Sequence, residues 1–368
     1  MGATETKIKK IMIMAGGTGG HVMPALAVAK HLQSQGFLVH WMGTTQGIEA
    51  RVVPANNIPI SFIQIQGLRG KHWHSWVTAP FRITKAIFQA AFILRKEQPQ
   101  VVLSMGGYVA GPGAIAAWFF RIPLILHEQN AIAGLTNRLL APFSKKIMVA
   151  FPKPFKKHAA KIVHTGNPVR DDILKLSPPD IRWKGILPET LHVLVLGGSL
   201  GAMKLNEVLP QAMALIPLDK RPDIVHQTGR NNLEKTKEFY ASAGVKANVT
   251  DFIEDMSGAY AWADVVVCRS GALTIAELCA AGLPSILVPF PLAVDDHQTA
   301  NAKYLSDKEA AFLLKQSSLT PQALHDLLIE FIHNPKKRLE MAKTCRELAT
   351  PLATASVAEH CLEVSCEA

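Results

Sequence analysis

The sequence predicts an α/β protein made of two doubly wound domains, each a parallel sheet covered by helices. Three observations carry this. A glycine-rich turn between an apolar run and a helix-patterned segment occurs near the start, Gly16-Gly17-Thr18-Gly19-Gly20-His21, and again at mid-chain, Gly197-Gly198-Ser199-Leu200-Gly201. The apolar runs are short and continuous, as strands buried on both faces are. The chain has 368 residues, too many for one ordinary core.

In chain order, residues 11–14 suit a buried parallel strand, and residues 24–32 set Leu26, Ala27, Ala29, Lys30 and Leu32 at helical spacing. The glycines between them read as a strand-to-helix turn. Such a turn leaves the first N–H groups of the helix unpaired and lets a ligand approach the backbone, which suits phosphate or diphosphate; a tight turn without a ligand is the other reading. Two familiar nucleotide loops fail here. Counted from Gly17, G-x-G-x-x-G meets Val22 at its third glycine, and the second strand ends in Trp41-Met42-Gly43-Thr44 without a ribose-binding acid. A P-loop needs a lysine after the glycines, and none follows.

The pattern repeats. Residues 101–104 form a strand-like run before a third glycine-rich segment, GGYVAGPG at 106–113. Residues 192–196 (HVLVL) precede the mid-chain turn, and residues 205–213 return to helical spacing. Residues 263–267 (ADVVV) give another strand, after which Ser270 or Gly271 is placed to start a helix. The free N–H groups of that helix suit a diphosphate, and Glu277 on it is either an acceptor for a ribose diol or a surface glutamate. Residues 289–301 (PFPLAVDDHQTAN) concentrate polar side chains after the next strand, where a sugar's hydroxyls would be read. Ligands of doubly wound sheets bind outside the carboxyl ends of the strands. The turns are therefore expected to face one cleft between domains that join near Gly166-Asn167-Pro168.

A composition of 48% hydrophobic and 18% charged residues belongs to a folded protein with large buried sheets. No apolar run reaches the roughly 18 residues of a membrane span, since residues 109–120 are broken by Gly111, Pro112 and Gly113. MGATETKIKK lacks the apolar core of a signal peptide, so the chain reads as cytosolic. Its Met1-Gly2 and Thr6 fit the loose myristoylation pattern, a frequent chance match. Cys268, Cys279, Cys345, Cys361 and Cys366 lack metal-ligand pairing and are expected to be reduced and structural.

Charge is unevenly spread. Residues 1–166 hold 19 lysines and arginines against 4 acids, whereas residues 167–368 hold 20 against 25. The first half is therefore expected to meet something anionic: nucleic acid, phospholipid or a polyphosphate substrate. Within residues 71–96, Trp73, Trp76, Phe81, Ile83, Ile87, Phe88 and Phe92 alternate with Lys71, Arg82, Lys85, Arg95 and Lys96. This suits shallow insertion at an anionic bilayer, against the alternative of a core helix with a solvated edge.

Seven motifs occur in order across nearly the whole chain: GGTGGH, MGGYVAGPG, HEQNAIAG, TGNPVR, LGGSLGA, SGALTIAEL and DDHQTANA. Together they resemble the bacterial MurG family, the UDP-N-acetylglucosamine transferases that convert lipid I to lipid II in peptidoglycan synthesis. The resemblance implies a GT-B glycosyltransferase fold of two Rossmann-like domains facing an interdomain cleft. Residues 1–166 would bind acceptor and membrane, with a C-terminal helix at about 350–368 packing back on them, and residues 167–349 would bind UDP-N-acetylglucosamine. It implies an inverting reaction at the muramyl 4-hydroxyl, no cofactor and no Asp-x-Asp metal site. The only close acid pairs that bear on this, Asp171-Asp172 and Asp295-Asp296, are adjacent residues whose side chains diverge on regular structure.

Carried onto this sequence, the resemblance assigns sugar-nucleotide contacts to Thr18, Gly19, Gly20, Asn130, Arg170, Ser199, Ile253 and Gln298. It adds the helix residues Ala272, Leu273, Thr274, Ile275, Ala276 and Glu277. Arg170 and the Ser199 turn would neutralise the diphosphate, the backbone of Ile253 would read uracil, and Asn130 and Gln298 would meet sugar hydroxyls. Inversion needs a base for the acceptor hydroxyl, and His21 ranks ahead of Glu128 because histidine is the commonest general base; His21 binding the acceptor diphosphate is the other reading. The expected partners are UDP-N-acetylglucosamine, lipid I and an anionic membrane surface, at the cytoplasmic face of the bacterial inner membrane. Two rivals remain: another GT-B enzyme using the same donor, such as an epimerase or a soluble-acceptor transferase, which needs no basic aromatic half, and a nucleic-acid-binding module. A nucleic-acid partner is not expected, since it leaves the glycine turns and Glu277 unexplained.

Overall fold

The computed structural model describes residues 9–66, 73–183, 190–198 and 201–366, without the side chains of 73–77. Two compact units divide the chain: residues 1–169 with 352–368, and residues 170–351.

The first unit is built from β1 (Lys10–Met14), α1 (Gly19–Ser34), β2 (Leu38–Gly43), α2 (Glu49–Val52), β3 (Ile60–Phe62), α3 (Trp73–Glu97) and β4 (Val101–Ser104). It continues through α4 (Ala110–Phe119), β5 (Leu124–Glu128), α5 (Leu135–Leu140), β6 (Lys146–Val149) and β7 (Ile162–His164). The second unit holds α6 (Asp171–Leu174), α7 (Pro179–Arg182), β8 (His192–Leu196), α8 (Met203–Ala214), β9 (Asp223–Gln227), α9 (Leu233–Ser242), β10 (Asn248–Thr250) and α10 (Met256–Trp262). It ends with β11 (Val265–Cys268), α11 (Ala272–Ala281), β12 (Ser285–Leu287), α12 (His297–Ser306), β13 (Ala311–Leu313), α13 (Pro321–His333) and α14 (Pro335–Glu347). The last helix, α15 (Ala353–Cys366), returns to the first unit and packs on α1.

Every strand pairing is parallel, in the orders β3-β2-β1-β4-β5-β6-β7 and β10-β9-β8-β11-β12-β13. In each sheet the order reverses beside its first strand, between β1 and β4 and between β8 and β11. Chains leaving the two strands there run to opposite faces and open a crevice at the strand ends. The register sets Met14 against Ser104 and Leu196 against Cys268, so each glycine-rich turn lies beside another loop of its own sheet.

Burial on both faces explains the continuous apolar strands. Ile11, Ile13, Val101 and Leu103 face α1 and α15, while Met12, Met14, Val102 and Leu126 join Ala86, Ala90 and Ala114 of α3 and α4. In the second unit, Val193, Val195, Val265 and Val267 pack against Leu205, Leu209, Leu324 and Leu328. Four of the five free cysteines are buried, and Cys366 is exposed.

Several boundaries differ from the sequence reading. Helix α1 starts at Gly19, so Gly19 and Gly20 belong to its first turn and the connection itself is three residues, Ala15–Gly17, with Thr18 as N-cap. Helix α4 takes in Gly111, Pro112 and Gly113, and at Gly113 a Cβ would press on the Met14 sulfur, so glycine lets the helix pack close on β1. Strand β11 begins at Val265, since Asp264 turns its carboxylate to the His192 N–H at 2.9 Å. On α3, Phe81, Phe88 and Phe92 are exposed while Ile83 and Ile87 are half-buried; Trp73 and Trp76 lie outside the described side chains.

Candidate active site

In the first unit the site is built on the crossing between β1 and β4. The Met105 N–H donates to the Met14 carbonyl at 2.8 Å, after which the two chains separate into their glycine turns. Gly17, Gly106 and Gly107 have φ of 95°, 97° and 86°, a region that L side chains rarely adopt. At Gly107 a Cβ would meet the Gly16 carbonyl, and at Gly106 it would lie 2.7 Å from His21 Nδ1. These glycines therefore let two backbones and one imidazole share a space too small for side chains.

His21 sits in the first turn of α1 with Nδ1 3.1 Å from the Met105 carbonyl and 3.2 Å from Gln129 Oε1. The Met105 carbonyl can only accept, so Nδ1 carries the proton and donates. Gln129 supports the same assignment, because its Nε2 donates to Met105 at 2.7 Å and turns Oε1 toward the ring. The neutral imidazole then presents Nε2 as a lone pair. Thr18 caps α1 without a side-chain bond; the His21 N–H donates to the Thr18 carbonyl at 3.1 Å, and the N–H groups of Gly19 and Gly20 precede the first intrahelical bond.

Glu128 is placed differently. Its carboxylate is buried, with Oε1 accepting from the Asn130 N–H at 3.0 Å and from Asn130 Nδ2 at 3.3 Å, and Oε2 accepting from the Gly134 N–H at 3.0 Å and Asn137 Nδ2 at 2.8 Å. Both oxygens are thus occupied in folding the 129–137 loop, which carries Asn130. Behind this site, His127 is fully buried with Nε2 3.0 Å from the Gly166 carbonyl, and burial pushes its pKa down to about 4.

In the second unit, Gly271 is the N-cap of α11, so Ala272, Leu273 and Thr274 form its first turn and turn their N–H groups to the end of β11. Ile275 and Ala276 complete the turn that leads to Glu277. Glu277 is buried, not a surface residue, and accepts the Tyr260 hydroxyl at 3.0 Å. Arg170 precedes α6, which packs on α11 and α10, and its charge acts on Glu277, Tyr260 and Asp255. Gln298 is fixed at the start of α12: its Oε1 accepts the Phe290 N–H at 2.9 Å and its carbonyl accepts the Ser270 hydroxyl at 2.8 Å. The Gln298 amide nitrogen is left to point away from that bond. The Ile253 N–H is taken by Gln227 Oε1 at 3.2 Å, so a base reading this loop must displace Gln227 or use the Ile253 carbonyl. Ser199 lies outside the described residues.

Thus Thr18, Gly19, Gly20, His21, Glu128 and Asn130 gather in the first unit, and Arg170, Ile253, the first turns of α11, Glu277 and Gln298 belong to the second. Gln129, Tyr260 and Gln227 were not singled out from the sequence. Gln129 lies inside the HEQN run and was visible there, but nothing local marks Tyr260, whose partner is 17 residues away.

The fold and these turns define a two-domain glycosyltransferase. Residues 11–149 match the glycosyltransferase family 28 N-terminal domain and residues 192–356 the family's C-terminal domain. The chain is 50% identical over 355 residues to a protein of Stutzerimonas stutzeri (strain A1501), covering 96% of this chain and 98% of that one. It is 51% identical over 358 residues to a protein of Azotobacter vinelandii (strain DJ / ATCC BAA-1303), covering 96% and 98%. Both are named UDP-N-acetylglucosamine--N-acetylmuramyl-(pentapeptide) pyrophosphoryl-undecaprenol N-acetylglucosamine transferase. The crystal structure of Acinetobacter baumannii MurG superposes with a TM-score of 0.82 at 43% identity, covering 96% of this chain and 99% of that one. The chain belongs to the MurG family.

Burial raises the Glu277 pKa from 4.5 to about 7, against the opposing charge of Arg170. Because the folded value lies above the unfolded one, its contribution to stability is complete below about pH 4.5 and is lost as pH rises through about 7. Without ligand, the wild type should lose melting temperature between pH 5 and pH 8 relative to Glu277→Gln, whose amide does not titrate. Parallel melting profiles for the two proteins would contradict this.

Proposed function

We propose that the chain transfers N-acetylglucosamine from UDP-N-acetylglucosamine to lipid I, forming lipid II, with the first unit holding the acceptor and the second the donor. The observation that carries this reading is the match, at about half identity and nearly full length, to transferases of that name. His21 is the base. Its Nε2 takes the proton of the muramyl 4-hydroxyl as that oxygen attacks the anomeric carbon from the face opposite UDP, which inverts the centre. Support comes from the fixed Nδ1 donor and from the four hydrogen bonds that commit Glu128 to the adjacent loop.

UDP gains charge as it leaves. Arg170, the Ser199 turn and the N–H groups opening α11 meet that charge, and Glu277 holds the ribose. Thr18, Gly19 and Gly20 approach the substrates through backbone, while Asn130 and Gln298 meet sugar hydroxyls. Radiolabelled donor mixed with lipid I should give a labelled lipid product, and product absent from the wild type would defeat the reading. With both substrates saturating, His21→Ala should lower turnover on the order of 100-fold or more. Normal turnover with a raised acceptor KM would instead make His21 a binding residue.

The enzyme acts as a peripheral protein at the cytoplasmic face of the inner membrane. Among the described residues no helix is long and apolar enough to cross a membrane, and the reading rests on a surface of the first unit. Phe81, Phe88 and Phe92 recur along one side of α3 at 82%, 71% and 71% exposure, and Trp118 and Phe119 of α4 are similarly bare. A groove of about 940 Å³ runs among Phe62, Phe81, Lys85, Phe88 and Phe92. Aromatic side chains beside Arg82, Lys85 and Arg121 suit the headgroup boundary of an anionic bilayer. Each phenylalanine that inserts contributes about 1.5–3 kcal/mol. Replacing Phe88 and Phe92 with serine should abolish salt-resistant binding to anionic vesicles and leave activity on a short-chain acceptor intact. Vesicle binding equal to wild type would move the membrane face elsewhere.

A further inference from the structure

The turn after β1 is held from behind by a carboxylate that no site assignment above includes. Glu49 opens α2, in the loop after β2, and is fully buried. Its Oε2 accepts the Gly17 N–H at 3.0 Å, and its Oε1 accepts the N–H and the hydroxyl of Thr44 at 2.9 and 2.7 Å. The Ile48 N–H returns to the Gly17 carbonyl at 3.4 Å, so the Gly17 residue is gripped on both its N–H and its C=O. Trp41 fixes the chain two residues earlier, its indole N–H donating to the Ala15 carbonyl at 2.8 Å.

Three glycines, one in the turn after β1 and two between the end of β2 and α2, make room for this side chain. A Cβ on Gly16 would lie 2.7 Å from Glu49 Oε1, one on Gly43 2.7 Å from its Cγ, and one on Gly47 would overlap the carboxylate. A buried carboxylate is costly unless hydrogen bonds replace its hydration, and here donors reach both oxygens. That arrangement excludes the isosteric amide. One oxygen faces the N–H of Gly17 and the other faces the N–H of Thr44, so whichever way glutamine is turned, its NH₂ group opposes a backbone N–H.

We infer that Glu49 is a positioning residue for the acceptor. It deepens the reading in which the first unit holds the acceptor and His21 is the base, and it rests on that reading. By consuming the Gly17 N–H and tying the turn to the loop after β2, it aims the N–H groups of Gly19 and Gly20, and the His21 ring one residue further on, at a single place. Misplacing such groups by about 1 Å costs a reaction on the order of 100-fold, which is why a rigid anchor behind the turn matters.

The test compares Glu49→Gln with wild type, using labelled UDP-N-acetylglucosamine and a short-chain lipid I. The expected result is a fall of at least tenfold in kcat/KM for the acceptor, larger than any rise in the Kd for UDP-N-acetylglucosamine. Acceptor kinetics within twofold of wild type would overturn the inference, including in a variant whose melting temperature has dropped. Where Glu49→Gln gives no cooperative thermal transition, Thr44→Val serves, since it removes only the hydroxyl bond to Oε1. It should shift acceptor kcat/KM in the same direction by about threefold, and unchanged kinetics would overturn the inference equally. A wild type that forms no lipid product defeats the transferase reading itself, whereas an active wild type with unaltered variants defeats only the role of Glu49.

Discussion

Much of the first unit's chemistry depends on one close approach of backbone to backbone. Where β1 and β4 part, the Met105 N–H still donates to the Met14 carbonyl, and Gly107 lies so near Gly16 that no side chain fits between them. The parallel order of the sheet forces this, because the strands on either side of the reversal send their connections to opposite faces. The two turns at the crevice are then set by backbone geometry. The Met105 carbonyl, freed by the positive φ of Gly106, becomes the acceptor for His21, and Gln129 from the end of β5 buttresses both.

The second unit repeats the strand order but solves its problem with buried side chains. Glu277 is buried and accepts a tyrosine hydroxyl, and the charge of Arg170 opposes burial by favouring its ionised form. A carboxyl kept near its titration point is costly to hold charged in the empty protein. In the proposed donor site, a ribose diol, with two hydroxyl donors, and the opposing arginine would restore what burial removes, so the same burial that weakens the free protein would strengthen the contact to a nucleotide.

The sheets were legible in the sequence because continuous apolar runs such as HVLVL at 192–196 and VVLS at 101–104 allow little else once glycine turns follow them. The helix starts were less so. Gly19 and Gly20 look like turn residues yet are helical, forming the first turn of α1 behind the Thr18 N-cap. His21, Glu277 and Gln298 were visible through the motifs that carry them. Their supports were not: Tyr260 and Gln227 act across 17 and 26 residues, and Glu49 reaches Gly17 over 32, distances at which sequence spacing holds no signal. The exposed side of α3 was only half legible, because alternation of aromatic and basic residues does not say which ring faces outward.

The proposed transfer turns on the ring of His21, whose protonated nitrogen decides whether a lone pair is left on Nε2 to act as base. Nitrogen-15 NMR of the ligand-free protein, labelled at histidine and assigned with a His21→Gln control, measures this directly. The shifts should report Nδ1 protonated and Nε2 bare, as donation to the Met105 carbonyl requires. A ring protonated at Nε2 would contradict the account, since it leaves no base on the side that meets substrate.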